Sequence, residues 1–173
     1  MIIRIVRIGI TALIAALLVL PVASAKEEKV SLDKVPPPVM DAVKARFGDA
    51  AVKGAGKEKE RGKLVYEVTL EEKGRNVDVT LTPAGEMLLI EKTITQTELP
   101  GPVRQALEHT YPGASYRTVE EIVEVHHGRE RLTSYEVLLA TADGHKREVR
   151  VSPDGKALPG EEEEEEDSEE AAD

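Results

Sequence analysis

The sequence predicts an α+β fold of two tandem repeats, each a helix packed on a four-stranded antiparallel sheet, and three observations carry that prediction. The stretch VPPPVMDAVKARF at residues 35–47 returns at residues 99–111 as LPGPVRQALEHTY. After each copy the hydrophobic period changes from about 3.6 residues to 2. Each copy then reaches the same kind of turn, Thr82-Pro83-Ala84-Gly85 in the first and Ser152-Pro153-Asp154-Gly155 in the second.

The helices come first in each copy. Aligning Val35 with Leu99 pairs Pro36 with Pro100, Pro38 with Pro102, Val39 with Val103, Ala42 with Ala106, Val43 with Leu107, Phe47 with Tyr111 and Ala50 with Ala114, without a gap. Positions 39, 43 and 47, and likewise 103, 107 and 111, fall on one stripe of a helix, which predicts the buried side. Pro38 and Pro102 suit a first helical turn, where a missing N–H breaks no bond. Gly48 in one copy and Pro112-Gly113 in the other predict the stops.

Strands follow. Leu64, Tyr66, Val68 and Leu70 alternate with Val65, Glu67, Thr69 and Glu71, and Tyr135, Val137 and Leu139 alternate with Ser134 and Glu136. Such alternation reads as a strand with one buried face. Val77, Val79 and Leu81 are echoed by Arg147, Val149 and Val151. A weaker strand is expected near residues 51–60 and again near 115–125. The Tyr-Glu-Val triplets at 66 and 135 stand further apart than the two helices do, so the second copy has gained a short insertion, expected in a loop at 126–132. Thr95 to Glu98 is the expected joint. Copies of roughly 65 residues are marginal alone. They gain either by packing together or by extending one sheet into the other.

Neither end belongs to these repeats. Arg4 and Arg7 precede an apolar run from Ile8 to Leu20, and Pro21 leads into Ala23-Ser24-Ala25. That is the order of a signal peptide, expected at residues 1–25 and cleaved after Ala25. The run is short for a membrane span, which takes about 20 apolar residues, so no span is expected after cleavage. At the other end, residues 161–173 hold ten of the 33 acidic side chains and no basic one, equal to the whole formal charge of −10. The rest of the chain balances 23 basic side chains against 23 acidic ones and offers no basic patch for nucleic acid. The tail is expected to be disordered and solubilising, with weak binding of cations as its functional alternative. There is no cysteine, which excludes disulfides and thiolate metal sites.

Chemistry is sparsely signalled. His126-His127 lies among Glu120, Glu121, Glu124 and Glu130, but neighbouring residues of a strand point to opposite faces, so the pair reads as a solvated loop. His109 and His145 read as surface residues. No nucleophile elbow, metal-hydrolase spacing or phosphate loop occurs, so no catalytic residue, cofactor or metal is expected. The polar strand faces carry Glu67 and Thr69 in one copy and Glu136 and Arg150 in the other. With Tyr116, on the opposite strand parity from Val119, these are the residues expected to meet a partner.

In the second copy Leu99, Pro100, Val103, Ala106 and Leu107 are followed by Tyr111-Pro112-Gly113, then Tyr135-Glu136-Val137 and Asp154-Gly155-Lys156. This series resembles the PepSY-like domain of exported bacterial proteins, in the tandem form related in fold to β-lactamase inhibitor proteins. The likeness covers residues 33–158, as repeats at 33–95 and 99–158. It implies a noncatalytic periplasmic or secreted module that binds or restrains an envelope or secreted protein or peptide. The inhibitor branch carries disulfides and an aromatic-rich sheet face, whereas this chain has no cysteine and 3% aromatic residues. The alternative function is a structural or cation-binding envelope protein acting through its acidic tail.

Overall fold

The structure, a computed structural model, describes residues 28–48 and 50–159. The leader and the acidic run expected from the sequence lie outside the described residues. Strand β1 (Glu28–Lys29) is followed by helix α1 (Pro37–Phe47), then β2 (Ala51–Glu60), β3 (Lys63–Glu72), β4 (Arg75–Leu81) and β5 (Met87–Thr93). The order then repeats with α2 (Gly101–Thr110), β6 (Ser115–His126), β7 (Arg129–Ala140), β8 (Lys146–Val151) and β9 (Ala157–Leu158). One 3-10 turn precedes each helix, at Leu32–Lys34 and Gln96–Glu98.

The helices form where the sequence places them, and for the same reasons. Prolines occupy the first turn of both, and the expected stripe is buried: Val39 and Val43 in α1, Val103 and Leu107 in α2. Gly48 closes α1 at a φ of 59°, and α2 gives way at Tyr111, just before Pro112.

Among the described residues, all strands pair antiparallel with their chain neighbours in one nine-stranded sheet ordered β1 to β9. The copies therefore share a continuous sheet, sewn together where Leu89 to Thr93 of β5 pair with Glu124 to Glu120 of β6. Strand β5 serves both repeats. Its first half flanks β4, with Val79 opposite Ile90. Its second half leads into the second repeat as β1 leads into the first: Lys92 faces Glu121 as Glu28 faces Lys57, a pair at the positions that the repeat alignment makes equivalent.

Both helices lie on one side of this sheet over separate cores. Beneath α1, Val39 and Val43 meet Tyr66, Val68, Leu70, Val77, Val79, Leu81 and Ile90, with Val125 reaching in from the second repeat. Beneath α2, Val103 and Leu107 meet Ile94, Val119, Tyr135, Val137, Leu139 and Val151. Lys92 and Glu121, paired between them, mark the boundary.

Two expectations are corrected. Leu64 is 39% exposed while Val65 is buried, because Leu64 lies beside the β2–β3 turn, beyond the reach of the helix. The residues expected as a loop at 126–132 instead lengthen the β6–β7 hairpin. His126 still pairs with Arg129, and the turn is His127-Gly128, both at positive φ. The extra residues thus carry β6 across to the first core, where Val125 is buried.

The matching turns explain two of the glycines. A Cβ on Gly85 would sit 2.3 Å from the carbonyl oxygen of Pro38, and one on Gly155 would sit 2.7 Å from that of Pro102. Each β-turn is thus pressed against the first turn of its own helix, where only glycine fits without movement. At the joint, the N–H and hydroxyl of Thr95 donate to Glu98 Oε2 at 2.9 and 2.8 Å, and Arg75 Nη1 donates to Glu98 Oε1 at 3.0 Å. The Thr95 bonds, then Arg75, lower the Glu98 pKa to about 2.

Candidate interaction face

The sheet has a helix side and an open side, and the alternation of each strand sends its polar residues to the open one. Cross-strand register arranges these residues in rows. One row runs Thr69, Asp78, Glu91, Ile122, Ser134 from β3 to β7. Beside it lies Glu67, Thr80, Leu89, Glu124. On the other side lies Thr93, Glu120, Glu136, Arg150 from β5 to β8.

The centre of this face is dehydrated although no described helix covers it: Thr80 is 4% exposed, Ile122 2% and Ser134 2%. Neighbouring side chains shelter them, and Glu67, Thr69, Asp78, Leu89, Glu91, Glu120, Glu136 and Arg150 are half-buried around them. Among the described residues every buried side-chain polar atom has a hydrogen-bond partner. Arg150 donates from Nε and Nη2 to Glu136 Oε2 at 3.0 and 2.5 Å, and Thr93 Oγ1 donates to Glu120 Oε1 at 3.3 Å.

Six carboxylates, those of Glu67, Asp78, Glu91, Glu120, Glu124 and Glu136, share these rows with one guanidinium, and the protonation of Glu91 reflects it. Burial, then the charges of Glu136, Glu120, Glu67 and Asp78, push its pKa up to about 8. The carboxyl is therefore largely protonated at neutral pH and can donate a hydrogen bond. Glu120 is raised as well, by burial against the opposing bond from Thr93, with Glu136 and Asp78 adding to the rise. Burial disfavours the charge of Arg150, but the bond and field of Glu136, with Glu91 and Glu148, outweigh it and keep the pKa above its ordinary value. The arrangement can accept hydrogen bonds and hold cationic groups at its rim.

Of the residues singled out in the sequence, Glu67, Thr69, Glu136 and Arg150 share this open face. Tyr116 does not. A bulge at Arg117 makes Tyr116 pair with Leu139 and Thr118 with Leu138, which reverses the strand parity and turns Tyr116 onto the second core. The first repeat has the same bulge at Lys53, the counterpart of Arg117 in the repeat alignment, with Val52 on its own core. Gly54 beside it was the available signal. Phe47 and the four tyrosines, all the aromatic residues of the chain, accordingly lie against the two cores. Sequence reasoning missed Asp78, Glu91 and Glu120, which strand pairing alone brings together: Asp78 beside Glu91 across β4 and β5, and Glu120 across the seam between β5 and β6.

His126 follows Glu124 by two residues on β6 and so stands at the edge of this face rather than at its centre. His126 and His127 are exposed at the hairpin tip, where His126 Nε2 lies 3.1 Å from Glu124 Oε2. No group of three or more histidine, aspartate or glutamate side chains among the described residues is placed to hold a metal ion. No described helix is long and apolar enough to cross a membrane.

Comparison with known proteins agrees with this architecture. A family model whose description reads "Putative beta-lactamase-inhibitor-like, PepSY-like" matches residues 22–90 and again residues 83–158. Among solved structures, one of the "putative periplasmic proteins" of Bacteroides eggerthii is 17% identical with a TM-score of 0.60, over 72% of this chain and 86% of that one. A DUF2874 family protein from Bacteroides uniformis is 17% identical with a TM-score of 0.58, over 72% and 86%. A BLIP-like protein from Bacteroides fragilis is 19% identical with a TM-score of 0.57, over 76% and 88%. At these identities the likeness is one of fold. None of the curated proteins matches the chain.

Proposed function

The chain belongs to the PepSY-like, β-lactamase-inhibitor-like family, and from that premise we propose that it is an exported, noncatalytic module that holds another envelope or secreted protein or peptide against the open face of its sheet. The observation that carries this reading is the dehydrated centre of that face, Thr80, Ile122 and Ser134, ringed by half-buried charged side chains. Half-buried charged and polar side chains on a sheet face that no described helix covers can be matched by complementary groups of a partner. The inhibitor-like description of the family and the periplasmic name of the B. eggerthii relative point the same way. Glu67, Thr69, Glu136 and Arg150 contact the partner in this reading. Tyr116 could join them only from the helix side.

Without aromatic anchors, recognition rests on charge and hydrogen bonding, and the complex weakens with salt. The test is capture from an envelope extract by the immobilised exported chain, as wild type, as Thr69→Arg on the open face and as Lys44→Glu on α1. Wild type and K44E should retain the same protein and T69R should lose it. Equal retention by all three overturns the assignment of the face.

A further inference from the structure

The two cores are not filled alike. In the first repeat the turn from Thr82 to Glu86 places Met87 opposite Leu81, where it packs on the core beneath α1 with Ile90 and Val123 beside it. In the second repeat the turn from Ser152 to Lys156 has the same hydrogen bonds, Gly155 N–H to Ser152 O at 2.8 Å beside Gly85 N–H to Thr82 O at 2.9 Å. It places Ala157 opposite Val151. An alanine thus stands where the first repeat has a methionine, and beside α2 there is a cavity of about 190 Å³. Its lining residues Ala106, Leu107, Tyr111, Val149 and Val151 are the repeat counterparts of Ala42, Val43, Phe47, Val79 and Leu81, all of which belong to the filled first core.

We propose that this cavity is a binding site for one residue of a partner peptide, with an unbranched apolar side chain such as methionine's inside and the adjoining peptide group against the hydroxyls of Thr110 and Tyr111. The first repeat shows what the site accepts, because there the same backbone holds the side chain of Met87 among the same kinds of neighbours. Size agrees with this occupant. An apolar cavity of about 150 Å³ takes a molecule as large as benzene, so this one has room for a methionine side chain. A flexible thioether chain also adapts to an irregular space better than a branched one. Thr110 and Tyr111 add two hydroxyls to the lining, which a peptide group can match by donating and accepting. Glu148 and Arg150 line it as well, the latter held by Glu136.

The chain does not supply this occupant itself. Residues 159–173 contain no leucine, isoleucine, valine, methionine or aromatic residue. A second copy, added as the second repeat follows the first, would present Lys59 and Arg61 where β6 presents Val123 and Val125 to the first core. Burying either cation in an apolar cavity would cost its hydration, which excludes that copy as the occupant. The cavity lies beside α2, so its occupancy does not depend on what the open face binds.

The test is a titration of the exported chain, followed by the methyl signals in nuclear magnetic resonance, with N-acetyl-methionine N-methylamide and with the glycine analogue that lacks the side chain. The methionine probe should shift Leu107, Val149, Val151 and Leu158 saturably and leave Val39, Val43 and Val79 of the first core unmoved. The glycine probe should bind at least about tenfold more weakly, as loss of a buried apolar side chain requires. Ala157→Met, which gives the second repeat the residue of the first, should fill the cavity and abolish the titration while the first-core signals stay unchanged. Absence of a saturable shift, equal binding of the two probes, or an unaltered titration in A157M overturns the proposal. Contacts in the free protein between these four residues' methyls and residues beyond Leu158 would overturn it too, since the chain would then be its own occupant.

Discussion

Arg46, at the end of the first helix, grips Glu130 of the second repeat with two hydrogen bonds, Nε to Oε1 at 2.6 Å and Nη2 to Oε2 at 3.1 Å. Glu130 stands opposite Val125, the residue through which the long β6–β7 hairpin enters the first core. The pair thus marks where one repeat reaches over the other. The hydrogen bond from Arg46 pulls the Glu130 pKa below the usual carboxylate range, and the same bond raises that of Arg46. Both side chains are more than a third exposed, so solvent screens them. Glu130→Ala and Arg46→Ala in a double-mutant cycle should show a coupling of about 0.5–1 kcal/mol, read from urea unfolding and falling with added salt. Because the folded pKa of Glu130 is depressed, this contribution should fade as pH falls through the carboxylate range.

The turn glycines give a graded prediction. Gly85 and Gly155 have φ of 83° and 86°, and a methyl on each would press on a proline carbonyl of its own helix. Gly85→Ala and Gly155→Ala should each lower stability by about 1–3 kcal/mol. The loss should be larger for G85A, where the approach is 2.3 Å against 2.7 Å. Thermal unfolding of the two variants checks both the sign and the order.

Glu91 sets a pH dependence of unusual sign. Its folded pKa is raised, to about 8, so between the ordinary carboxylate range and pH 8 the folded state holds a proton that the unfolded state has released. Stability from this group should therefore fall as pH rises across that window, by up to about 5 kcal/mol in total, and should not change below it, where both states are protonated. Glu91→Gln should flatten the profile and raise the melting temperature at pH 8 by several degrees. Melting curves of both proteins from pH 4 to 9 provide the check, and parallel profiles would exclude Glu91 as the source.

Leu70 and Leu139 hold equivalent places in the two cores, each closing the apolar face of its Tyr-Glu-Val strand, and both are fully buried. Truncating either to alanine should cost about 2–5 kcal/mol. Since one sheet runs under both cores, each variant should still unfold in a single transition at the same midpoint by circular dichroism and by tyrosine fluorescence. Separate transitions would mean that the seam between β5 and β6 does not couple the repeats.

Much of the fold was legible because it is written in short-range patterns. Val39 and Val43, and Val103 and Leu107, announce their helices by spacing, while Tyr66, Val68 and Leu70 announce β3 by alternation. Even the polar strand β2 emerged at 51–60, through its place in the repeat. What stayed hidden depends on contacts distant in sequence. The bulge at Arg117 turned Tyr116 to the other side, and a one-residue shift leaves no mark in a strand of mixed polarity. The pairing of Ile90 with Val123 joins the two sheets, but either residue alone reads as a buried strand position. The same holds for the candidate face: Glu67, Thr69, Glu136 and Arg150 were visible as polar strand residues, whereas Glu91 became their centre only through pairing across the seam.

The order of the nine strands also has a mechanical meaning. Because each strand lies beside the one before it, β1 and β9 lie at opposite edges of the sheet that the described residues form. Tension applied between β1 and β9 pulls across the strands, so ladder bonds load one after another and the sheet peels inward from these two-residue strands. Such a body yields to stretching in small steps, while a load along the strand direction at the open face is shared by many bonds at once.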